Sequence, residues 1–309
     1  MSSPVGYALV GLVVLAACGG RGPSRESSAA GAPADEHRVR VQAWRDRHEV
    51  DYRRDWVSIA GLHFLTPGAH TVGRDTAGAI VLSAGASQEM GRLTVAGGRV
   101  RYDPVPGLAV TQGGHAVTGP LVLKEPGSPP AEEIQIGDVR LVVHSSGERL
   151  ALRVRDPNGP LATGFLGFTW FPIDPAYRVV GRFIPDEASR EMRVVNTFGD
   201  LDTYLTEGVV EFELRGQTLR LRPFTTRPTR LYFVFRDASS GAETYETARF
   251  LYADLRGDGT AELDFNEAYN PPCAFNPYTT CPIPMRENIL PVEILAGERA
   301  YAGGTKHPE

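Results

Sequence analysis

Apolar and polar residues alternate with a period of two through most of the chain. Residues 210–214 place an apolar side chain at every second position, and 219–222 repeat the alternation after Gly216. Because successive side chains of a β-strand point to opposite faces, this pattern predicts a hairpin with one buried and one solvent-facing side. The same reasoning predicts four further hairpins, at residues 92–104 with a turn at Gly97-Gly98, at 139–157 with a turn at Ser145-Ser146-Gly147, at 230–254, and at 249–266 with a turn at Asp258-Gly259.

One segment near the N-terminus has a helical period instead. Val41, Trp44, His48 and Tyr52 recur at spacings of three and four residues. We therefore predict one amphipathic helix over residues 36–53. His48 lies on its apolar stripe, where a packed, hydrogen-bonded histidine is expected more often than a ligand.

The pattern as a whole predicts a mainly β fold. The 34 glycines and 24 prolines supply turn signals between the predicted strands. We expect an antiparallel sandwich or an irregular barrel, with one N-terminal amphipathic helix and a Pro/Cys-rich C-terminal lobe. Residues 36–303 are expected to form a single domain, with 157–175 as the place where a seam would fall, and residues 304–309 to be a disordered tail.

An apolar run at residues 7–17 ends at the tetrad Leu-Ala-Ala-Cys, which occupies positions 15–18. At about 1.5 Å per residue, the run spans roughly 16 Å against a hydrocarbon core of about 30 Å, so it is too short for a membrane-spanning helix. Small residues before a cysteine are typical of a bacterial lipobox. We therefore predict a signal peptide at 1–17 and a lipid on the Cys18 thiol.

The lipid would anchor the protein in the cell envelope, because two or more acyl chains give stable membrane attachment. Residue 19 is Gly and not the Asp that retains Gram-negative lipoproteins in the inner membrane. We expect the outer membrane, with the protein facing the periplasm. Residues 18–35 are rich in Gly, Ser, Ala and Pro and are expected to be a flexible tether.

The charge balance argues against a nucleic-acid partner. The chain has 32 basic and 37 acidic residues, a net charge of -5 and no basic block. Signatures of common catalytic and nucleotide sites are also absent: G-x-S-x-G, H-E-x-x-H, the P-loop, C-x-x-C and a strand-linked G-x-G-x-x-G. The seven histidines show no metal-ligand spacing, so we expect no metal and no other cofactor.

Residues 263–298, the C-terminal lobe, combine prolines, aromatic residues, asparagines and two cysteines in a segment unsuited to a long helix or a central strand. One interpretation is structural: the asparagines at 266, 270 and 288 bond otherwise unpaired backbone groups of a compact loop. The other is functional: the lobe forms a pocket for a sugar or a small polar ligand. The candidate pocket residues are Asp264, Asn266, Tyr269, Asn270, Tyr278 and, from another segment, His63.

Cys273 and Cys281 remain once Cys18 is assigned to the lipid. In an oxidising envelope compartment, an even pair favours a disulfide between them. Metal-ligating thiolates and a redox pair stay open as alternatives, although C-x7-C is neither the C-x-x-C of thiol oxidoreductases nor a zinc-knuckle spacing.

Six segments carry distinctive motifs: WVSIAGLHFLTPGAHTVG at 56–73, RLALRVRDP at 149–157, GFTWFPIDPAYRV at 167–179, TYETARFL at 244–251, LDFNEAYNPPCAF at 263–275 and TCPIPMRENIL at 280–290. Together they resemble a bacterial family known only as domain of unknown function 1684, over roughly residues 44–303. Phe64 and Met285 depart from the family pattern, and neither position is charged or a thiol. The resemblance implies a shared fold and a shared C-terminal lobe. It implies no reaction and no catalytic residues.

These observations support three hypotheses of function. The first is a lipid-anchored envelope protein that binds a small polar ligand or an envelope partner and does not catalyse. The second is an envelope hydrolase in which Asp264 and His63 are acid/base partners that the fold brings together. The third is a structural assembly partner, which would expose a large apolar patch.

Overall fold

The computed structural model of the chain describes residues 31–74, 80–81 and 89–303. The predicted signal peptide at 1–17, Cys18, positions 18–30 of the predicted tether and the tail at 304–309 lie outside the described residues.

Helix α1 spans Gly31–Tyr52 and continues into a π-helical turn at Arg53–Val57. It begins before the expected start at residue 36, within the segment expected to be tether. Three rings of its predicted apolar face stack in series, with centroids 4.7 Å apart for Trp44 and His48 and 4.6 Å apart for His48 and Tyr52. The stacked face packs against the C-terminal half of the chain. A second, short helix, α2, spans Pro160–Thr163.

Eleven of the described strands precede residue 156 and form two sheets around one apolar cluster. They are β1 (Ile59–Phe64), β2 (Gly68–Gly73), β3 (Ile80–Val81), β4 (Gly91–Ala96), β5 (Arg99–Pro104), β6 (Thr111–Gln112), β7 (His115–Ala116), β8 (Leu121–Lys124), β9 (Ile134–Ile136), β10 (Val139–Ser146) and β11 (Arg149–Arg155). One sheet has the order β1-β11-β10-β9-β6-β7 and the other β3-β2-β4-β5-β8. Among the described strands, only β2 and β3 pair in parallel.

Seven later strands form two more antiparallel sheets. They are β12 (Arg178–Val195), β13 (Leu201–Leu214), β14 (Gln217–Leu221), β15 (Phe224–Arg227), β16 (Arg230–Phe235), β17 (Arg249–Asp254) and β18 (Thr260–Asp264). The four-stranded sheet has the order β14-β13-β12-β18, and the three-stranded sheet has the order β15-β16-β17. One apolar cluster joins the inner faces of these two sheets. An aromatic cluster covers the other face of the three-stranded sheet, below α1 and the C-terminal lobe.

The mainly β, antiparallel prediction is confirmed, and the described strands close no barrel. The hairpin at 210–221 forms as predicted. So does that at 92–104, where Gly97 and Gly98 have φ values of 55° and 79°, the left-handed conformation that a type I′ turn requires. In the hairpin at 139–157 the turn is at Gly147-Glu148; it shares Gly147 with the predicted turn, but Ser145 and Ser146 belong to β10.

The C-terminal lobe contains short 3-10 turns at Phe265–Glu267, Pro272–Ala274 and Arg286–Asn288. Its asparagines bond backbone groups, as the structural interpretation predicted. The Asn288 amide donates to the carbonyls of Arg222 and Val234, both at 2.9 Å. Such bonds hold an irregular segment in one conformation, because they pair backbone groups that no strand ladder serves.

Candidate functional site

An aromatic cavity of about 500 Å³ lies between α1, the three-stranded sheet and the C-terminal lobe. Residues that are distant in sequence supply its walls: the end of α1, strands β13, β16 and β17, and the lobe. Thr280 and Cys281 also line the cavity. Five of the lining residues are tyrosines, namely Tyr52, Tyr204, Tyr232, Tyr252 and Tyr269.

The tyrosine hydroxyls divide into two groups. Tyr52 donates to the Asn270 carbonyl at 2.8 Å, and the hydroxyls of Tyr252 and Tyr269 bond to each other. The hydroxyls of Tyr204 and Tyr232 have no hydrogen-bond partner among the described residues. Because burial raises the pKa of both side chains, these two hydroxyls stay protonated and remain donors at neutral pH.

His48 adds a further unpartnered group to the cavity wall. Its ring packs between Trp44 and Tyr52, as the stripe predicted, but its buried Nε2 has no hydrogen-bond partner among the described residues. Burial lowers the pKa of His48 to about 4, so the ring is neutral near pH 7. A neutral imidazole nitrogen at this position can donate or accept, depending on the tautomer.

A second cavity, of about 480 Å³, adjoins the aromatic one through Tyr252, which lines both. This charged cavity is lined by four arginines and four carboxylates, namely Arg40, Arg47, Arg230, Arg256, Asp254, Glu262, Asp264 and Glu267. Arg47 makes no ion pair in the part of the chain that the structure describes. Burial and the neighbouring Asp264 raise the pKa of Glu267 to about 7.

The structure places two of the predicted pocket residues at these cavities. Tyr269 lines the aromatic cavity and Asp264 lines the charged one. Asn266 and Asn270 are fully buried and hold the lobe together. Tyr278 is half-buried and does not line either cavity.

The expected acid/base pair of Asp264 and His63 is not formed among the described residues. His63 lies in β1 of the six-stranded sheet, whereas Asp264 ends β18 of the four-stranded sheet. Asp264 bonds instead to His37 Nε2 at 2.6 Å and to Arg40 at 2.7 Å. The His37 side chain is 2% exposed, and its Nδ1 is buried without a hydrogen-bond partner among the described residues. The His37–Asp264 pair therefore presents no ring nitrogen at the surface of a cavity.

Cys273 and Cys281 are buried thiols, and no disulfide joins them in the structure. The expected bridge is therefore not found, although the two residues touch. The Cys273 backbone N–H donates to Cys281 Sγ at 3.3 Å, and the thiol of Cys273 also bonds to that sulfur. Cys281 faces the aromatic cavity, while Cys273 is 0% exposed.

Sequence reasoning missed most of the aromatic cavity. Tyr232 and Tyr252 lie in apolar strands, where a tyrosine is ordinarily a core residue. The available signal was the continuous apolar run of β16, since a strand that is apolar at consecutive positions is covered on both faces. The second face of β16 is the one that carries Tyr232 toward the cavity.

No helix in the described ranges is long and apolar enough to cross a bilayer. Nor do the described residues contain a group of three or more His, Cys, Asp or Glu side chains arranged to hold a metal ion.

Residues 163–299 match the model of a family described as a protein of unknown function, DUF1684. The resemblance noted from the motifs is supported over this segment, which contains β12–β18 and the C-terminal lobe. Among solved structures, the chain is similar to an uncharacterised protein of Haloarcula marismortui, determined by solution NMR. That protein is 30% identical, with 47% of this chain and 82% of the other covered and a TM-score of 0.39. No curated protein matches.

Proposed function

We propose that this protein is a lipid-anchored cell-envelope protein that binds a small polar ligand in the aromatic cavity. The observation that carries the proposal is the set of unpartnered polar groups in its wall, the hydroxyls of Tyr204 and Tyr232 and the Nε2 of His48. Buried polar groups in proteins are nearly always hydrogen-bonded, so the buried His48 nitrogen supports a ligand that completes it, and the two hydroxyls are donors that a ligand in the same cavity can use.

The chemistry of the walls narrows the ligand class. Tyrosine and tryptophan rings offer flat apolar faces, and their hydroxyls and ring nitrogens provide directional hydrogen bonds. A volume of about 500 Å³ falls in the range of small-molecule pockets. A sugar, or a planar ring that carries hydrogen-bond acceptors, fits both features. Arg47 at the adjoining charged cavity favours an anionic substituent on that ligand.

The envelope location rests on the sequence. The tetrad at 15–18 supports lipid attachment at Cys18, and the membrane is then the partner that retains the protein. We propose attachment to the outer membrane, with the cavity facing the periplasm. An envelope protein that covers the cavity mouth is the alternative partner, and a ligand-binding test distinguishes the two cases.

The test is a thermal-shift panel on the full chain, with envelope sugars, peptides, lipids and divalent metals, and a chelator control. A ligand at about 100 times its Kd stabilises the protein by about 2.7 kcal/mol, so Tm rises by several degrees. The double variant Tyr204→Phe, Tyr232→Phe keeps both rings and removes two donors, so it should lose most of the shift. Tyr278→Phe removes a hydroxyl outside the cavity and should keep it.

A panel without any shift, or a shift that the double variant retains in full, would contradict binding in this cavity. The first outcome would favour a protein partner. The second would place the ligand elsewhere on the molecule.

A further inference from the structure

Arg153 is a buried cation without a hydrogen-bonded partner. It lies in β11 and is 6% exposed, and neither a hydrogen bond nor an ion pair joins it to another described residue. Its guanidinium carbon lies 5.5 Å from the centre of the Trp56 ring, which lines the aromatic cavity. Burial of an unpaired charge is costly, so this position calls for a negative charge nearby.

Cys281 is the group that can provide this negative charge. Among the described residues, the charge of Arg153 acts on His144 and Cys281. Burial and Arg153 lower the pKa of His144 to about 3, and a histidine supplies no negative charge in any case. A thiolate at Cys281 would neutralise Arg153.

The contacts of the two sulfurs are unequal. Cys281 Sγ accepts a bond from the Cys273 N–H at 3.3 Å and donates to Thr279 Oγ1 at 3.6 Å, and the charge of Arg153 acts on it. Burial alone would raise the pKa of Cys281, but its hydrogen bonds with Cys273 and Thr279 and the charge of Arg153 hold this pKa below its usual value. Burial and the bond to Cys281 raise the pKa of Cys273. Cys281 therefore ionises first and Cys273 keeps its proton.

We propose that Cys281 is a nucleophilic thiolate and Cys273 its resolving thiol, which together form a peroxide-reactive site beside the aromatic cavity. This site goes beyond ligand binding, because the thiols themselves react. The substrate is a hydroperoxide. Cys281 is 3% exposed and lines the aromatic cavity, so a small peroxide can reach it where a protein disulfide cannot.

The reaction balances with the peroxide as the oxidant. The Cys281 thiolate attacks one oxygen of ROOH, the O–O bond breaks, and the other oxygen leaves as RO⁻, which takes a proton to become ROH. Cys281 is then a sulfenic acid. Cys273 attacks that sulfur, an S–S bond forms, and the OH leaves as water with the Cys273 proton. One peroxide is reduced and two thiols are oxidised, until an external dithiol restores them.

The test uses the full chain with Cys18→Ser, so that two thiols remain, reduced and then exposed to limiting hydrogen peroxide. Peptide mass mapping should find a disulfide between Cys273 and Cys281. With Cys273→Ser, dimedone should trap a sulfenic acid on Cys281. With Cys281→Ser, Cys273 should stay reduced. Thiols that survive the peroxide, or dimedone trapped on Cys273, would overturn the proposal.

Arg153 is a positioning residue in this scheme, and the pH profile of Cys281 alkylation by iodoacetamide tests it. Arg153→Gln should move the midpoint of the profile to a higher pH. At a pH below the midpoint, a rise of the midpoint by one pH unit slows alkylation about tenfold. Arg153→Lys should restore the profile. Arg155→Gln, two residues along the same strand, should leave it unchanged, since Arg155 bonds to the Asp55 carbonyl and pairs with Glu133.

The groups that face Cys281 do not obscure this profile. They are Arg153, Cys273, Tyr52, Tyr204, Tyr232, Tyr245 and Tyr269. Burial raises the pKa of every tyrosine among them and that of Cys273, so none of these groups titrates in the pH range below the usual pKa of a thiol. Circular dichroism shows whether each variant folds. If a variant does not fold, the same scheme is tested on the parent chain, where limiting iodoacetamide must label Cys281 before Cys273. Equal labelling of the two thiols refutes the scheme.

Discussion

Arg249 and Asp237 form an ion pair that is 0% exposed on both side chains. Arg249 donates to Asp237 at 2.7 Å and to the carbonyls of Ile294 and Ala296, and Asp237 accepts the Ile294 N–H at 3.1 Å. The pair thus joins β17 to the end of the C-terminal lobe. A buried pair of this kind adds little compared with apolar residues, but removal of one partner leaves an uncompensated charge.

Asp237→Asn should lower the free energy of unfolding by about 3–5 kcal/mol, because Arg249 then remains charged and buried. Urea denaturation, followed by far-UV circular dichroism, measures the loss. Asp254→Asn is the control, since its pair with Arg230 is largely exposed, with Asp254 68% exposed, and should cost less than about 1 kcal/mol. Equal losses for the two variants would contradict this assignment.

Glu298 links stability to pH. Its carboxylate accepts the Asn270 N–H at 2.8 Å, and burial raises its pKa to about 8. The folded chain therefore holds a proton that the unfolded chain releases near pH 4.5. Stability from this group is full below pH 4.5 and falls as pH rises toward 8, at a rate of up to roughly 1.4 kcal/mol per unit.

Glu298→Gln should flatten this part of the stability profile between pH 5 and 8. Glutamine keeps an oxygen for the Asn270 N–H and carries no ionisable proton. Denaturation at pH 5, 6.5 and 8 gives the profiles; the exposed Glu246→Gln should retain the parent slope. Glu267, with a pKa of about 7, contributes in the same direction in every variant. Parallel profiles for the parent and Glu298→Gln would disprove the assignment.

At the scale of single residues, the sequence predicted that Asn266, Asn270 and Asn288 bond backbone groups, although the carbonyls that their amides reach lie in distant segments. It did not predict the isolation of Arg153. Alternation along β11 shows that Arg153 and Leu152 point to opposite faces, but not that Trp56 and Cys281 cover the Arg153 face. Trp56 and Cys281 belong to segments that are distant from β11 in the sequence.

Strand β12 depends on a glycine where it lies between β13 and β18. Gly181 pairs with Ala261, and a Cβ added there would lie 2.4 Å from Val210 Cγ1 and 3.0 Å from the Glu211 carbonyl oxygen. Backbone atoms on that side leave little room for relaxation, so the sheet must shift to accept a methyl group.

Gly181→Ala should therefore destabilise the protein by about 1–3 kcal/mol, the usual cost of overpacking, with a Tm several degrees lower. Gly257→Ala is the matched control, because a Cβ at that position meets nothing within 4 Å. Differential scanning calorimetry of both variants measures the contrast. A Tm for Gly181→Ala equal to that of the control would show that the sheet yields freely.

Turns were predicted better than pairings. Asp258-Gly259 does form a turn, with Gly259 at a φ of 78°. The strands on either side do not form the predicted hairpin: β17 pairs with β16 and β18 with β12, and only a Leu255–Ala261 bridge joins them. Turn chemistry is local, whereas a strand joins the edge that buries its apolar face best, and that edge is set by residues elsewhere.

The anchoring proposal makes a prediction for the whole molecule. Cys18→Ser removes the thiol that would carry the lipid, so the protein should leave the membrane fraction and become soluble. Fractionation of cells that express each form, with immunoblotting, measures the shift. Cys273→Ser is the control, since this buried thiol has no role in anchoring. Membrane association that persists in Cys18→Ser would refute the lipobox.

Periodicity, turn residues and composition, read from the sequence by itself, determined the mainly β class, most hairpins and the irregular C-terminal lobe, because these depend on neighbours in the chain. Only the tertiary structure decided the site. The aromatic cavity takes Tyr52 from α1, Tyr204 from β13, Tyr232 from β16 and Cys281 from the lobe. A local sequence pattern predicts which face of its own helix or strand each side chain occupies. Which elements then face one another depends on packing over the whole molecule.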